Sequence, residues 1–255
     1  MLKRKKIIVA NWKMNPKTPD EARKIFSMTL RSARACSLVR TIVCPPFVYL
    51  PFFASRMKSV VALGVQDVFY ENAGSYTGMI SSGMAKSSGA SYAIVGHSER
   101  RALGETDEVV ARKLFAVEKS ELSAILCVGE EVRNESGSHF VFLAEELRRS
   151  LARFKRKSFN KLIIAYEPVW AIGKTADEAL KPSDFRETYI FIKKVLSDIF
   201  GHESATEIPI LYGGSVEPEN VEALFTLGGA DGFLVGHASL SPTAFKEILT
   251  IANAV

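Results

Sequence analysis

Glu167 closes a short β-branched apolar run, Leu162-Ile163-Ile164-Ala165, and is followed at once by Pro168, which ends any further ladder pairing. A carboxylate at the mouth of an apolar strand is expected to be partly desolvated, which raises its pKa toward a value useful to a base. Other apolar runs end in comparable fashion, at Asn11-Trp12-Lys13, Gly96-His97-Ser98-Glu99, Gly213-Gly214-Ser215 and Gly236-His237. Each residue alone has a plain structural reading: a rim glutamate in an ion pair, a solvated lysine, a satisfied core imidazole, glycines that merely turn the chain. Together they describe a reaction class. A carboxylate base, a lysine cation and an imidazole without metal-ligand spacing suit abstraction of a proton next to a carbonyl. Lys13 and His97 would then stabilise the enediolate oxygens, where charge develops. His97 stands at the start of a helix beginning Ser98-Glu99-Arg100-Arg101, whose dipole favours a neutral ring. Ser215 and Gly236 precede short helices, where exposed N–H groups bind phosphate. There is no G-x-S-x-G elbow, and His97, His139, His202 and His237 do not cluster like zinc ligands, so no metal is expected.

Eight apolar runs position these residues: 7–10, 41–44, 61–65, 92–95, 124–128, 162–165, 208–211 and 233–235. Helical patterns fill the intervals. Thr18-Pro19-Asp20-Glu21 is a capping box with proline at the first helical position, Ser241-Pro242 repeats the cap-plus-proline signal, and 186–200 reads as an amphipathic helix closed by Gly201. Strands alternating with helices give βα units and a parallel sheet, and eight units match the count of a closed (β/α)8 barrel. A doubly wound open sheet would usually announce a nucleotide loop. No G-x-G occurs here, and the position a P-loop needs for glycine ahead of Gly173-Lys174-Thr175 is Pro168. No linker divides the chain, so residues 1–255 are expected to be one barrel domain.

Composition bounds the partners. The chain has 255 residues, 47% hydrophobic and 24% charged, which is ordinary for a globular domain with a sizeable core. A net charge of +5 suits an anionic partner, a small phosphate as readily as nucleic acid. The basic run from Arg148 to Lys157 carries one interleaved aromatic, Phe154, and reads as a solvated helix end rather than a nucleic-acid patch. Cys36, Cys44 and Cys127 are odd in number with no C-x-x-C pair, which points to reduced thiols and a cytoplasmic setting. The run 7–10 is too short for a signal-peptide core, and no stretch approaches a membrane span, so no membrane partner is expected.

From about Ile7 to Ile251 the chain resembles the triosephosphate isomerase family. The resemblance rests on Asn11-Trp12-Lys13-Met14-Asn15, Gly96-His97-Ser98-Glu99-Arg100-Arg101, the stretch from Ala165 to Gly173, Tyr212-Gly213-Gly214-Ser215-Val216 and Asp231-Gly232-Phe233-Leu234-Val235-Gly236, in order and at the right strands. It implies interconversion of dihydroxyacetone phosphate and glyceraldehyde 3-phosphate without a cofactor. On matching positions Glu167 would be the base, His97 the electrophile, Lys13 the substrate-binding cation and Asn11 a hydrogen-bonding partner of a substrate oxygen. Glu99 would support Lys13. Backbone N–H groups of Gly173, Ser215, Gly236 and His237 would hold the phosphate, and Ile172 and Leu234 would form an apolar clamp over the base. Thr77 belongs to a loop that the family inserts into a partner subunit, so a homodimer is implied. A phosphate-binding or adhesion protein that keeps the scaffold without turnover is the competing reading; it predicts a lost base or lysine, and both are present. Another sugar-phosphate isomerase or an aldolase is the weaker enzyme alternative, since a Schiff-base lysine needs an apolar setting.

Three departures stand out. The family's lid usually runs A-I-G-T-G-K-T-A, whereas here Ala171-Ile172-Gly173 leads straight to Lys174-Thr175-Ala176 and the span 168–182 is slightly longer than usual. A lid redrawn in this way predicts a looser grip on phosphate and more methylglyoxal by-product. His237 replaces the family's usual glycine. Met79 replaces a glutamate that bridges the interface to the arginine matching Arg100, which predicts a weaker dimer.

Overall fold

β-branched and leucine-rich runs hemmed in by helices have nowhere to place an exposed face, so they fold as strands buried on both sides. In the computed structural model, which describes residues 5–54, 60–134, 136–173 and 180–255, eight strands form: β1 (Lys6–Asn11), β2 (Val39–Cys44), β3 (Val61–Val65), β4 (Tyr92–Val95), β5 (Ser123–Val128), β6 (Leu162–Tyr166), β7 (Ile210–Tyr212) and β8 (Gly232–Val235). Every neighbouring pair is parallel, and β8 returns to β1 with Ile8 opposite Phe233 and Val9 opposite Leu234, closing the barrel. This is the (β/α)8 architecture that the eight runs predict.

Alternation along each strand splits the core in two. Ile7, Val9, Ile42, Ile94, Ile125 and Ile163 pack with one another inside the barrel. Ile8, Ala10, Val43, Leu126 and Ile164 pack outward against the helices. Fully burying one such side chain stabilises by about 1.5–3 kcal/mol.

One strand starts later than its apolar run predicts. β7 begins at Ile210 and not at Ile208, because Pro209 has no N–H for the ladder; its carbonyl still accepts from Ile164 N at 2.9 Å. The helix signals fare well. Thr18 caps the helix Pro19–Ala35 by accepting from Glu21 N at 3.3 Å, while the Glu21 carboxylate takes the Lys17 N–H, one residue further out than a regular capping box. Ser241 caps Pro242–Ala254. The helix ending at Phe200 begins at Pro182, four residues before the predicted start at 186, because Pro182 supplies its first position; Gly201 closes it at φ 88°. Of the basic run, Arg148 and Arg149 lie in the last turn of Ser138–Ser150, within 3.4 Å of Asp198 and Glu145 respectively.

Candidate active site

The residues that follow the strands converge at the carboxyl end of the barrel, and their own backbones show how they are held. Lys13 sits at φ 51°, a left-handed conformation that costs a non-glycine residue roughly 1–2 kcal/mol. Two amide side chains hold it there. Asn11 Oδ1 accepts the Lys13 N–H at 3.1 Å, and Gln66 Nε2 donates to the Lys13 carbonyl at 2.8 Å while also reaching Cys44 O at 3.0 Å. Gln66 escaped the sequence reading; its position immediately after β3 is the signal that marks it. The extended Lys13 side chain passes Gly236, where a Cβ would stand 3.3 Å from its Cε, and its Nζ meets Glu99 Oε1 at 2.9 Å.

His97 caps the helix Ser98–Ala102, its Nδ1 accepting the Glu99 N–H at 3.1 Å. A backbone N–H can only donate, so Nδ1 presents a lone pair and the ring carries its proton on Nε2. That Nε2 stands 3.2 Å from Glu167 Oε1. The other oxygen of Glu167, Oε2, accepts the Ser98 N–H at 2.9 Å. Glu167 and His97 are 2% and 6% exposed, so the pair faces little competing water.

Two glycines let Glu167 occupy this position. A Cβ on Gly129 would lie 1.7 Å from the Glu167 carbonyl oxygen, and one on Gly213 would lie 2.9 Å from its Cγ. Neighbouring Glu130 fixes the chain beyond Glu167: its Oε1 accepts from Tyr166 Oη at 2.8 Å and Trp170 Nε1 at 3.0 Å, and its carbonyl accepts from Val169 N at 3.0 Å. Gly129 and Glu130 directly follow β5, a position that held no residue flagged from sequence.

Behind Glu167 lies an ionic layer in which Glu146 is buried and Arg101 and Asp107 are half-buried. Arg101 reaches Asp107 at 2.7 Å and Glu146 at 3.2 Å, and Glu146 Oε2 accepts the Gly129 N–H at 2.9 Å. Burial pushes the Glu146 carboxyl up to about 7 against the opposing pull of Arg101 and the Gly129 N–H, with Asp107 and Glu167 adding to the rise. Burial likewise drives the Cys127 thiol well above its ordinary range, and the Glu167 charge reinforces that.

Asn11, Lys13, His97, Glu167, Ile172, Gly173, Ser215, Leu234, Gly236 and His237 all line one cavity of about 230 Å³. Glu99 touches it through Lys13. Thr77 does not reach it within this chain and is exposed. Glu217, which was not anticipated, also lines the cavity near His237; burial raises its carboxyl, Glu219 adds to the rise and His237 opposes it. Ile172 and Gly173, the latter at φ 74°, are the last residues described before the lid, and 174–179 lie outside the described residues, so the redrawn segment falls largely there. Arg100, expected to lack its interface partner because of Met79, meets Asp67 of its own chain at 3.1 Å.

Known proteins share both pattern and fold. The sequence pattern of the triosephosphate isomerase family matches residues 6–252. The chain is 37% identical to the triosephosphate isomerase of Flavobacterium johnsoniae over 97% of its own length and 99% of that protein. It is 41% identical to that of Moorella thermoacetica, covering 96% and 98% of the two chains. Among solved structures, triosephosphate isomerase from Bartonella henselae superposes with a TM-score of 0.85 at 32% identity, covering 97% of this chain and 98% of that one.

Proposed function

We propose a division of labour in the cavity from the premise that the chain belongs to the triosephosphate isomerase family. It is an intramolecular aldose–ketose isomerase that interconverts dihydroxyacetone phosphate and glyceraldehyde 3-phosphate, and residues 1–255 act as a single barrel domain. Glu167 takes the proton from one carbon and returns it to the next, through an enediol(ate). One of its oxygens holds the Ser98 N–H in this structure, and the carboxylate keeps free lone pairs with which to take the proton from the substrate carbon. The Nε2–H of His97 donates to the substrate oxygens as charge grows on them, and Lys13 adds a positive charge beside them. Asn11 holds an oxygen and keeps Lys13 in its strained conformation; Glu99 orients the Lys13 ammonium. The phosphate goes to the N–H groups of Gly173, Ser215, Gly236 and His237, and Ile172 and Leu234 cover the base against water.

The observation that carries this reading is the meeting of Glu167, His97 and Lys13 in one 230 Å³ cavity. A coupled assay tests it. Glu167→Asp withdraws the carboxylate by about one methylene and is expected to lower kcat at least about 100-fold. A variant as fast as the parent would remove Glu167 from the mechanism.

The chain works as a homodimer. Met14 (94% exposed), Val48, Met79 and Leu103 project large apolar side chains into water from the segments that follow β1, β2, β3 and β4, which are neighbours around the barrel. Apolar surface concentrated in this way favours a partner, and Thr77, exposed in the same region, would reach into the partner's cavity. A cytoplasmic location fits the three unpaired, buried cysteines. Among the described residues no helix is long and apolar enough to cross a membrane.

A further inference from the structure

The opposite end of the barrel carries a second concentration of charge, which the isomerase chemistry does not use. The two-residue alternation that aims Ile42 and Cys44 at the barrel axis aims Arg40 there as well, at the first turn of the mouth. The same step back from Ile7 and Ile163 leads to Lys5 and Lys161, and all three cations line a pit of about 270 Å³ whose floor includes Ile7 and Ile163. Among the described residues no carboxylate lines this pit, and none of the three cationic side chains has an ion-pair partner. Two carboxylates near that end are otherwise engaged. Asp231 accepts from Ile210 N at 2.9 Å and Tyr189 Oη at 3.2 Å, and Glu118 accepts from the Ser158 hydroxyl. Ser123, Asn160 and Tyr92 bring neutral donors to the same walls.

We propose that this N-terminal mouth is a binding site for a small multivalent anion of the phosphate class, separate from the isomerase cavity. Three like charges converging on an axis repel one another, and an anion among them replaces each repulsion with an attraction. The Arg40 guanidinium offers the forked donor pair that fits two oxygens of a phosphoryl group. The pit is smaller than the roughly 300–1,000 Å³ of sites for drug-sized molecules, so it suits an inorganic ion or a lone phosphoryl group. Its polar walls and closed apolar floor leave the anion's remaining oxygens toward solvent.

The test is calorimetric titration of the full chain with inorganic pyrophosphate at about 0.15 M potassium chloride, where exposed charges are largely screened. Inhibition of the isomerisation by pyrophosphate in the coupled assay marks any binding in the isomerase cavity, since an anion held there competes with triose phosphate and one held in the N-terminal mouth does not. The expected result is one saturable site per chain with a Kd below about 1 mM. The Arg40→Gln/Lys161→Gln double variant should bind at least about tenfold more weakly, with kcat/KM for the isomerisation within about twofold of the parent. The single variant Arg40→Gln, weakened less, carries the test if circular dichroism shows the double variant unfolded. Absence of saturable heat, equal affinity in the variants, or a Kd that matches a competitive inhibition constant against triose phosphate would each overturn the proposal.

Discussion

The Nε2 of His97 and the Oε1 of Glu167 stand 3.2 Å apart, and the Glu99 N–H on His97 Nδ1 determines which of the two carries the shared proton. The ring must present N–H toward the carboxylate, so Glu167 is met by a donor on each oxygen, His97 on one and Ser98 N on the other. A carboxylate held between two donors is ordered before substrate arrives, and in the proposed mechanism one of those donors also serves the substrate oxygens.

Replacing His97 by glutamine should therefore lower kcat more than it alters KM. Loss of one well-placed donor to a developing oxyanion costs roughly 10²–10³ in kcat. Steady-state assays in both directions check this, and a variant that changed only KM would reduce His97 to a binding role.

Gly129→Ala should be among the most damaging single changes outside the charged set. Its methyl would stand 1.7 Å from the Glu167 carbonyl oxygen, and backbone on both sides leaves no side chain to move aside. Overpacking of this kind costs about 1–3 kcal/mol or more. The expected outcome is a Tm lowered by at least about 5 °C together with a lower kcat, since the displaced carbonyl belongs to Glu167, the proposed base. Calorimetry and the coupled assay report the two effects, and an unchanged Tm would show that the strands part without penalty.

Glu146 makes stability depend on pH in a defined direction. Its native carboxyl titrates near 7, above the ordinary value of 4.5, so the folded chain holds the proton more tightly than the unfolded one. The resulting stabilisation is complete below about pH 4.5 and is lost as pH rises through about 7, amounting to at most about 3 kcal/mol. Glu146→Gln cannot ionise and should show a flatter profile between pH 5 and about pH 8 in urea unfolding. Identical slopes for parent and variant would mean that Glu146 does not titrate in this range.

Met14 is almost entirely exposed in the single chain, so Met14→Asp has little to disturb within it. In the proposed homodimer it would bury a charge against apolar surface. Sedimentation of the variant as a monomer, with a dimeric parent, is the expected outcome. If the variant sediments like the parent, Met14 lies outside the contact.

The redrawn lid should release some enediolate before protonation is complete, giving more methylglyoxal than a family member with the usual lid pattern. NMR of the product mixture measures it directly, and equal by-product from the two would show that the longer lid holds phosphate as well.

Much of the site was legible because strand ends in a parallel barrel are marked twice, by the end of an apolar run and by the polar residue after it. Glu167, His97 and Lys13 each follow such a run, and all line the same cavity. Residues whose importance lies in contact were not legible. Gln66, Gly129 and Glu130 also follow strands, but an amide, a glycine and a rim carboxylate carry no chemistry until the groups they hold are known. Proline was decisive where apolar content misled, since Pro209 shortened β7 and Pro182 lengthened the helix ending at Phe200.

The amino-acid sequence by itself determined the eight runs, their alternation with helices and the set of groups available for proton transfer, because those depend on local periodicity and on side-chain type. Only the tertiary structure decided which nitrogen of His97 faces Glu167, that Lys13 is held in a left-handed conformation, and that Lys5, Arg40 and Lys161 share one pit. Those relationships join residues far apart in the chain, and they exist only once the closing of β8 onto β1 brings the strand ends around a common axis.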